Sequence, residues 1–260
     1  MTIAAEMLDK LESLALNAGI AIMRIYSEGF VTKYKDDYSP VTEADTIAEK
    51  IIIAGLSNLT PEIPVVAEEA FSSGHSPDIS GGRFWLVDPL DGTNEFVEKS
   101  GEFTVNIALI EDGRPVCGVV HAPALSQTYT GHIETGAHCR DLNKNRHKIR
   151  VRTVSKNDVT VIASRRHGDP KKIKKLLEGR TISKIKNAGS SLKFCIVASG
   201  GADIYPRFGR TMEWDTAAGQ AVLEAAGGRM STLDGKPFRY AKAGYENPNF
   251  IAWGGFDKPN

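Results

Sequence analysis

From Ile3 to Tyr26 the apolar positions Met7, Leu11, Leu14, Ala18, Ile22 and Ile25 recur every three to four residues. That spacing puts one apolar stripe on a helix, with Gly29 as its stop. A second helix is expected from Thr42, where Thr42-x-x-Asp45 resembles a capping arrangement ahead of Ile47, Ile51, Gly55 and Leu59. Pro61 lies beyond its end, and Asp45 falls in its first turn. Short strand-like runs follow at Val65–Ala67, Phe84–Val87, Phe103–Ile110 and Val116–His121. The last two are joined by Glu111-Asp112-Gly113-Arg114 and read as a hairpin. Further strands are expected at Gln127–Thr130, Lys148–Val154 and Val159–Ala163. A basic helix around Lys171–Leu177 comes next, then helices over Ser190–Ser199 and Asp215–Ala226, the last closed by Gly227-Gly228. With no internal repeat or long linker, the pattern predicts a mixed α/β chain. Its expected division lies near residues 150–158, giving portions 1–155 and 156–260.

The 260 residues are 41% hydrophobic and 25% charged, enough for a substantial core. Lys and Arg total 32, as do Asp and Glu, which excludes a globally basic nucleic-acid binder and a polyacidic disordered chain. Glu6, Asp9, Lys10 and Glu12 interrupt the apolar run a signal peptide needs, and no stretch of membrane-spanning length is apolar. Cys117, Cys139 and Cys195 are too few and too widely spaced for a zinc site or a disulfide scaffold. The expectation is a cytoplasmic protein without an integral membrane segment, at most peripheral at the inner membrane. A monomer or homodimer is expected, with a small-molecule partner and no nucleic acid.

The zero net charge hides a segregation. Residues 1–100 hold 7 basic and 17 acidic side chains, whereas residues 140–193 hold 17 basic and 4 acidic. Lys171, Lys172, Lys174 and Lys175 read as a solvated helix face.

Candidate chemistry concentrates where a strand runs into an acidic turn, Trp85-Leu86-Val87-Asp88-Pro89-Leu90-Asp91-Gly92-Thr93-Asn94. Pro89 fixes its own φ and Gly92 tolerates conformations closed to other residues, so the turn can bring both carboxylates together around the Leu90 carbonyl. Hard divalent cations want such oxygen ligands. An acidic β-turn with capping carboxylates has the same sequence. Glu68-Glu69 also ends a strand-like run, as a solvated strand end would. Asp215, in Glu213-Trp214-Asp215-Thr216-Ala217-Ala218-Gly219, opens a small-residue helix whose dipole favours an ionised carboxylate. Gly189-Ser190-Ser191 reads as a turn offering N–H groups to an anion, or as a plain helix cap, with Lys193 one turn on.

A Glu-Glu pair, a DPLDGT turn, and WDTAAG followed by LEAAGG occur in this order, and together they resemble the inositol monophosphatase superfamily of metal-dependent, lithium-sensitive phosphatases. Gly101-Glu102-Phe103-Thr104-Val105-Asn106-Ile107-Ala108-Leu109-Ile110, Gly189-Ser190-Ser191-Leu192-Lys193-Phe194-Cys195 and Tyr205-Pro206-Arg207-Phe208-Gly209 make the chain most similar to its CysQ-type 3'(2'),5'-bisphosphate nucleotidase branch. The resemblance implies a layered α-β-α-β-α sandwich holding two or three Mg²⁺ ions. It places metal ligands at Glu68, Asp88, the Leu90 carbonyl, Asp91 and Asp215, and water activation at Asp45 and Thr93, with Glu69 in support. Substrate contacts would fall on Gly92, Thr93, His167, Ser190, Lys193, Arg207 and Asp215. The implied reaction is hydrolysis of adenosine 3',5'-bisphosphate to AMP and phosphate, recycling the by-product of sulfate assimilation. The 3'-phosphate of the phosphosulfate precursor is a second expected target, and inositol monophosphate or a related sugar phosphate the alternative substrate.

Overall fold

The long amino-terminal stripe folds as helix α1, Ile3–Glu28, which ends where Gly29 turns to φ +99°. The computed structural model describes residues 3–35, 38–155, 158–165 and 168–256. A two-stranded hairpin follows, β1 (Lys33–Tyr34) with β2 (Pro40–Val41), and leads into helix α2, Glu43–Leu59. The Thr42 capping box is present: Ala44 N–H donates to the Thr42 hydroxyl, and the Asp45 carboxylate accepts from the Thr42 N–H. The buried stripe of α2 is not the expected one. Ala44, Ala48, Ile52 and Leu56 face inward, while Ile47 is 38% exposed. The cap fixes the rotation of the helix, and the two alanines allow close packing. At Gly55 a Cβ would meet Leu14 Cδ1 at 2.4 Å, so α1 crosses there.

Strand β3 (Val65–Ala67) runs directly into the short helix α3 (Glu68–Ser72). Strand β4 (Arg83–Asp91) leads to helix α4 (Thr93–Val97). The hairpin of β5 (Thr104–Glu111) and β6 (Arg114–Ala122) turns at Asp112 and Gly113, both at positive φ. Then come β7 (Gln127–His132), β8 (Gly136–Arg140) and β9 (Arg146–Ile149). These seven strands, β3 to β9, form one sheet in sequence order, antiparallel except for the β3–β4 pair. The strand expected over Lys148–Val154 stops at Ile149.

The second sheet is built from β10 (Val159–Ser164), β11 (Ile182–Ala188), β12 (Ile204–Arg207), β13 (Arg229–Thr232) and β14 (Phe250–Trp253), in the order β11-β10-β12-β14-β13. Helix α5 (Pro170–Leu176) lies between β10 and β11 in sequence, α6 (Leu192–Ala198) between β11 and β12, and α7 (Ala217–Ala225) between β12 and β13. Four of these strands had no sequence signal. Edge strand β11 carries Lys184 exposed and Lys186 half-buried against the Gly201 carbonyl, polar residues that mask its strand pattern.

The layers follow from which faces are apolar. The α1/α2 pair packs on one face of the seven-stranded sheet through Leu8, Ile22, Ile52, Trp85 and Phe103. Its other face and the five-stranded sheet enclose α6 and α7 through Phe194, Val222, Leu223 and Phe250. Ile173 of α5 covers the far face of the second sheet with Val161 and Ile204, while the lysines of α5 are exposed. The result is an α-β-α-β-α sandwich.

Candidate active site

The site grows from the carboxyl end of β4. Pairing with β5 slips between Asp88 and Asp91, where Pro89 can donate no ladder hydrogen bond. The Asp88 carboxylate, 1% exposed, accepts the Leu90 N–H at 3.0 Å. Gly92, at φ +91°, then turns the chain into α4 and places Thr93 at its start. The Thr93 hydroxyl lies 3.2 Å from both the Asp45 carboxylate and the Leu90 carbonyl. Asp45 is itself held by the N–H and hydroxyl of Thr42, at 2.7 and 2.8 Å. Burial raises its carboxyl above the usual range against those two bonds.

Glu68 and Glu69 open α3. The Lys35 ammonium, on the segment after β1, donates to both at 2.7 Å. Burial, reinforced by the charge of Glu68, pushes the Glu69 carboxyl up to about 7. Glu49, one turn beyond Asp45 on α2, accepts the N–H groups of Glu69 and Ala70 at 2.7 and 2.8 Å and so caps α3 from the side.

Asp215 differs from its expected setting. It ends a single 3₁₀ turn, Glu213–Asp215, and Thr216 separates it from α7. Its carboxylate accepts the Met212 N–H at 2.8 Å. Burial and the charges of Asp91 and Glu68 push its carboxyl well above the ordinary range, so they outweigh the helix-end stabilisation expected from sequence. The Asp88 carboxyl is raised by burial and by Glu68, Asp91 and Asp215. The Asp91 carboxyl is raised to about 6, burial prevailing over the opposing charge of Lys193.

A cavity of about 300 Å³ is lined by Glu68, Asp88, Leu90, Asp91, Thr93 and Asp215. Gly92, Ser190, Lys193 and Arg207 line it too. Asp45 reaches it only through Thr93, and Glu69 turns away into the Lys35 pair, on a separate surface depression. His167 lies outside the described residues.

Ser190 adopts φ +43° and opens the turn into α6. Lys193, 4% exposed, donates to the carbonyls of Ser190 and Ala188 at 2.5 and 3.2 Å and sits over the Tyr205 ring. Burial pulls its pKa down to about 8, against the pull of Asp91. Arg207 donates to the Arg210 carbonyl at 3.0 Å, while its buried Nε has no hydrogen-bond partner among the described residues.

Sequence reasoning missed Lys35, Glu49 and Glu95, the last of which lines the cavity. Glu49 had a usable signal, since it stands four residues beyond Asp45 and shares its helix face. Lys35 had none, because the β1–β2 hairpin alone brings it to α3.

Hard cations suit this donor set. Asp88 is buried and Asp91 and Asp215 are half-buried; Asp91 and Asp215 raise the Asp88 carboxyl, Asp91 raises that of Asp215, and none of the three makes an ion pair among the described residues. Three clustered carboxylates without an ion-pair partner are what a divalent cation neutralises. Among the described residues no three His, Cys, Asp or Glu side chains are grouped so as to hold a metal ion by themselves, so a cation here would need the Leu90 carbonyl, water or substrate oxygens as further ligands. Mg²⁺ fits such an arrangement because it keeps waters and takes phosphate oxygens as ligands.

The sandwich, the DPLDGT turn at the end of β4 and the clustered acids are those of one family of metal-dependent phosphatases. Residues 4–255 match the inositol monophosphatase family, and the chain belongs to it. It is 44% identical over 247 residues to the 3'(2'),5'-bisphosphate nucleotidase CysQ of Escherichia coli K12, spanning 94% of this chain and 98% of that one. The CysQ of Salmonella typhimurium is 45% identical over 250 residues, with the same shares covered. Among solved structures, CysQ from Bacteroides thetaiotaomicron superposes with a TM-score of 0.81 at 35% identity, over 98% of this chain and 99% of that one. The inositol monophosphatase from Anabaena gives 0.76 at 25% identity, over 98% and 93%.

Among the described residues no helix is long and apolar enough to cross a membrane.

Proposed function

We propose that this chain is a Mg²⁺-dependent 3'(2'),5'-bisphosphate nucleotidase that hydrolyses adenosine 3',5'-bisphosphate to AMP and phosphate. The 3'-phosphate of the related phosphosulfate is a second substrate. The observation that carries this reading is a single cavity lined both by Glu68, Asp88, Asp91 and Asp215 and by Ser190, Lys193 and Arg207.

Glu68, Asp88, the Leu90 carbonyl, Asp91 and Asp215 would hold two or three ions. Bound there, Mg²⁺ supplies Lewis acidity toward a phosphate oxygen and a water. Thr93 orients the attacking water through its hydroxyl, and Asp45 takes up the proton, a role suited to a carboxyl whose pKa burial raises. Glu69 supports these ligands by holding Lys35 in place beside Glu68. A substrate with two phosphates needs cations remote from the metals. Lys193 and Arg207 meet that need, with the turn at Gly92 and Ser190 contacting phosphate and sugar, and His167, outside the described residues, as a further contact in this reading. Residues 1–155 then act chiefly as the metal-binding portion and residues 156–260 chiefly as the nucleotide-binding portion, with Asp215 of the second completing the metal ligands and Gly92 of the first joining the substrate contacts.

The test is phosphate release from adenosine 3',5'-bisphosphate with Mg²⁺, run beside inositol monophosphate. A higher kcat/KM for the bisphosphate is expected. A preference for the inositol ester overturns the assignment.

A further inference from the structure

The segment Gly101-Glu102-Phe103-Thr104-Val105-Asn106 takes no part in the chemistry above, yet its polar side chains all point one way. Phe103, Val105 and Ile107 pack beneath α1 and α2. Side chains two apart share a face of extended chain, so Glu102, Thr104 and Asn106 face the opposite layer. There they meet the turn that opens α6. Glu102 Oε2 accepts the Gly189 N–H at 2.8 Å. The Ser191 hydroxyl lies 2.8 Å from the Thr104 hydroxyl and donates to Asn106 Oδ1 at 2.7 Å. Thr104, Asn106 and Ser191 are all at most 2% exposed. With Ser191 fixed in this way, its N–H reaches Asp91 Oδ2 at 2.6 Å.

Glu102 does more than accept one bond. Its carboxylate also takes a bidentate pair from Arg165 at the end of β10, at 2.7 and 2.8 Å. Its backbone carbonyl wedges between two glycines. A Cβ on Gly189 would stand 2.7 Å from that oxygen, and one on Gly92 would stand 3.2 Å from it. One residue therefore spaces the turn carrying Gly92 from the turn carrying Ser190, and ties both to the loop after β10. Ser190 sits in the left-handed region, which costs a non-glycine residue free energy unless neighbours hold it there.

We propose that Glu102 is a positioning residue for substrate, setting the Gly189–Ser190 turn at the distance from Asp91 that a bound nucleotide needs. This rests on the nucleotidase reading above. The experiment compares Glu102→Ala and Glu102→Gln on adenosine 3',5'-bisphosphate and on p-nitrophenyl phosphate, with hydrogen exchange at the Gly189 amide as a readout independent of activity. Losing one hydrogen bond to a charged group predicts a KM for the bisphosphate raised roughly tenfold in Glu102→Ala. kcat/KM for p-nitrophenyl phosphate should fall far less. Glu102→Gln keeps an acceptor for the Gly189 N–H, so it restores most of the KM and slow exchange at Gly189. An unchanged KM, or a fall in kcat on both esters with Gln as damaging as Ala, overturns the inference. A wild-type protein inert toward the bisphosphate overturns the substrate reading instead, and exchange at Gly189 then decides the role of Glu102 alone.

Discussion

Thr93 and Asp45, 48 residues apart, meet through a hydroxyl–carboxylate contact of 3.2 Å. The contact exists because the Thr42 cap fixes Asp45 in the first turn of α2, while Gly92 releases the chain so that α4 begins at Thr93. If this pair orients a water and accepts its proton, Thr93→Ala and Asp45→Asn should each lower kcat roughly 10²- to 10⁴-fold, the range of general-base catalysis. KM should move little. Steady-state kinetics decide it, and a variant that keeps wild-type kcat would remove the pair from the chemistry.

Metal and pH should be linked through the clustered acids. The Asp91 carboxyl rises from 3.8 to about 6 on folding, so between those values the native state holds more protons than the unfolded chain. Its contribution to stability is complete below pH 3.8 and is lost as the pH rises through about 6. Asp88 and Asp215 shift in the same direction. A divalent cation binds the ionised ligands, so the gain in Tm from Mg²⁺ over a chelator should be larger at pH 8 than at pH 5. Asp91→Asn should shrink that difference. Equal gains at both pH values would contradict the assignment of these acids as ligands.

Lys193 gives a second pH signature, on binding. Burial brings its pKa down to about 8, so the ammonium is lost as the pH rises through that value. KM for a bisphosphate nucleotide should therefore climb above about pH 8 in the wild type. In Lys193→Arg the charge persists and that limb should vanish. Lys193→Met, which removes a buried charged donor, should raise KM roughly tenfold to a hundredfold at pH 7. A pH profile identical in wild type and Lys193→Arg would show that another group sets it.

Gly189 is required for space. An added Cβ would lie 2.7 Å from both the Glu102 carbonyl and Glu95 Cγ. The Glu95 side chain can yield but the backbone carbonyl cannot, so Gly189→Ala should cost about 1–3 kcal/mol of stability, the range for overpacking. Chemical denaturation would measure it, and a loss below about 0.5 kcal/mol, the scale of an indifferent surface change, would show that the turn relaxes freely.

The amino-acid sequence determined what local physics controls. The stripe of α1, the capping box at Thr42, the hairpin at Asp112-Gly113 and the acidic turn of β4 were all legible, because each depends on residues within one or two turns of one another. Phase and context were not. The sequence put Ile47 on the inner face of α2 and Asp215 at a helix start, whereas the structure exposes Ile47 and ends a 3₁₀ turn at Asp215. Edge strand β11, Ile182–Ala188, with Lys184 and Lys186 among its residues, carried no apolar–polar alternation to read. Tertiary structure alone decided that Lys35 joins Glu68, that the Ser191 N–H reaches Asp91, and that Glu102 spaces two glycine turns. Those contacts span 33, 100 and 87 residues, and the packing of layers brings such partners together where no local pattern does. The same packing brought Glu68, Asp88 and Asp91 of the acidic segment and Lys193 of the basic one to the lining of one cavity.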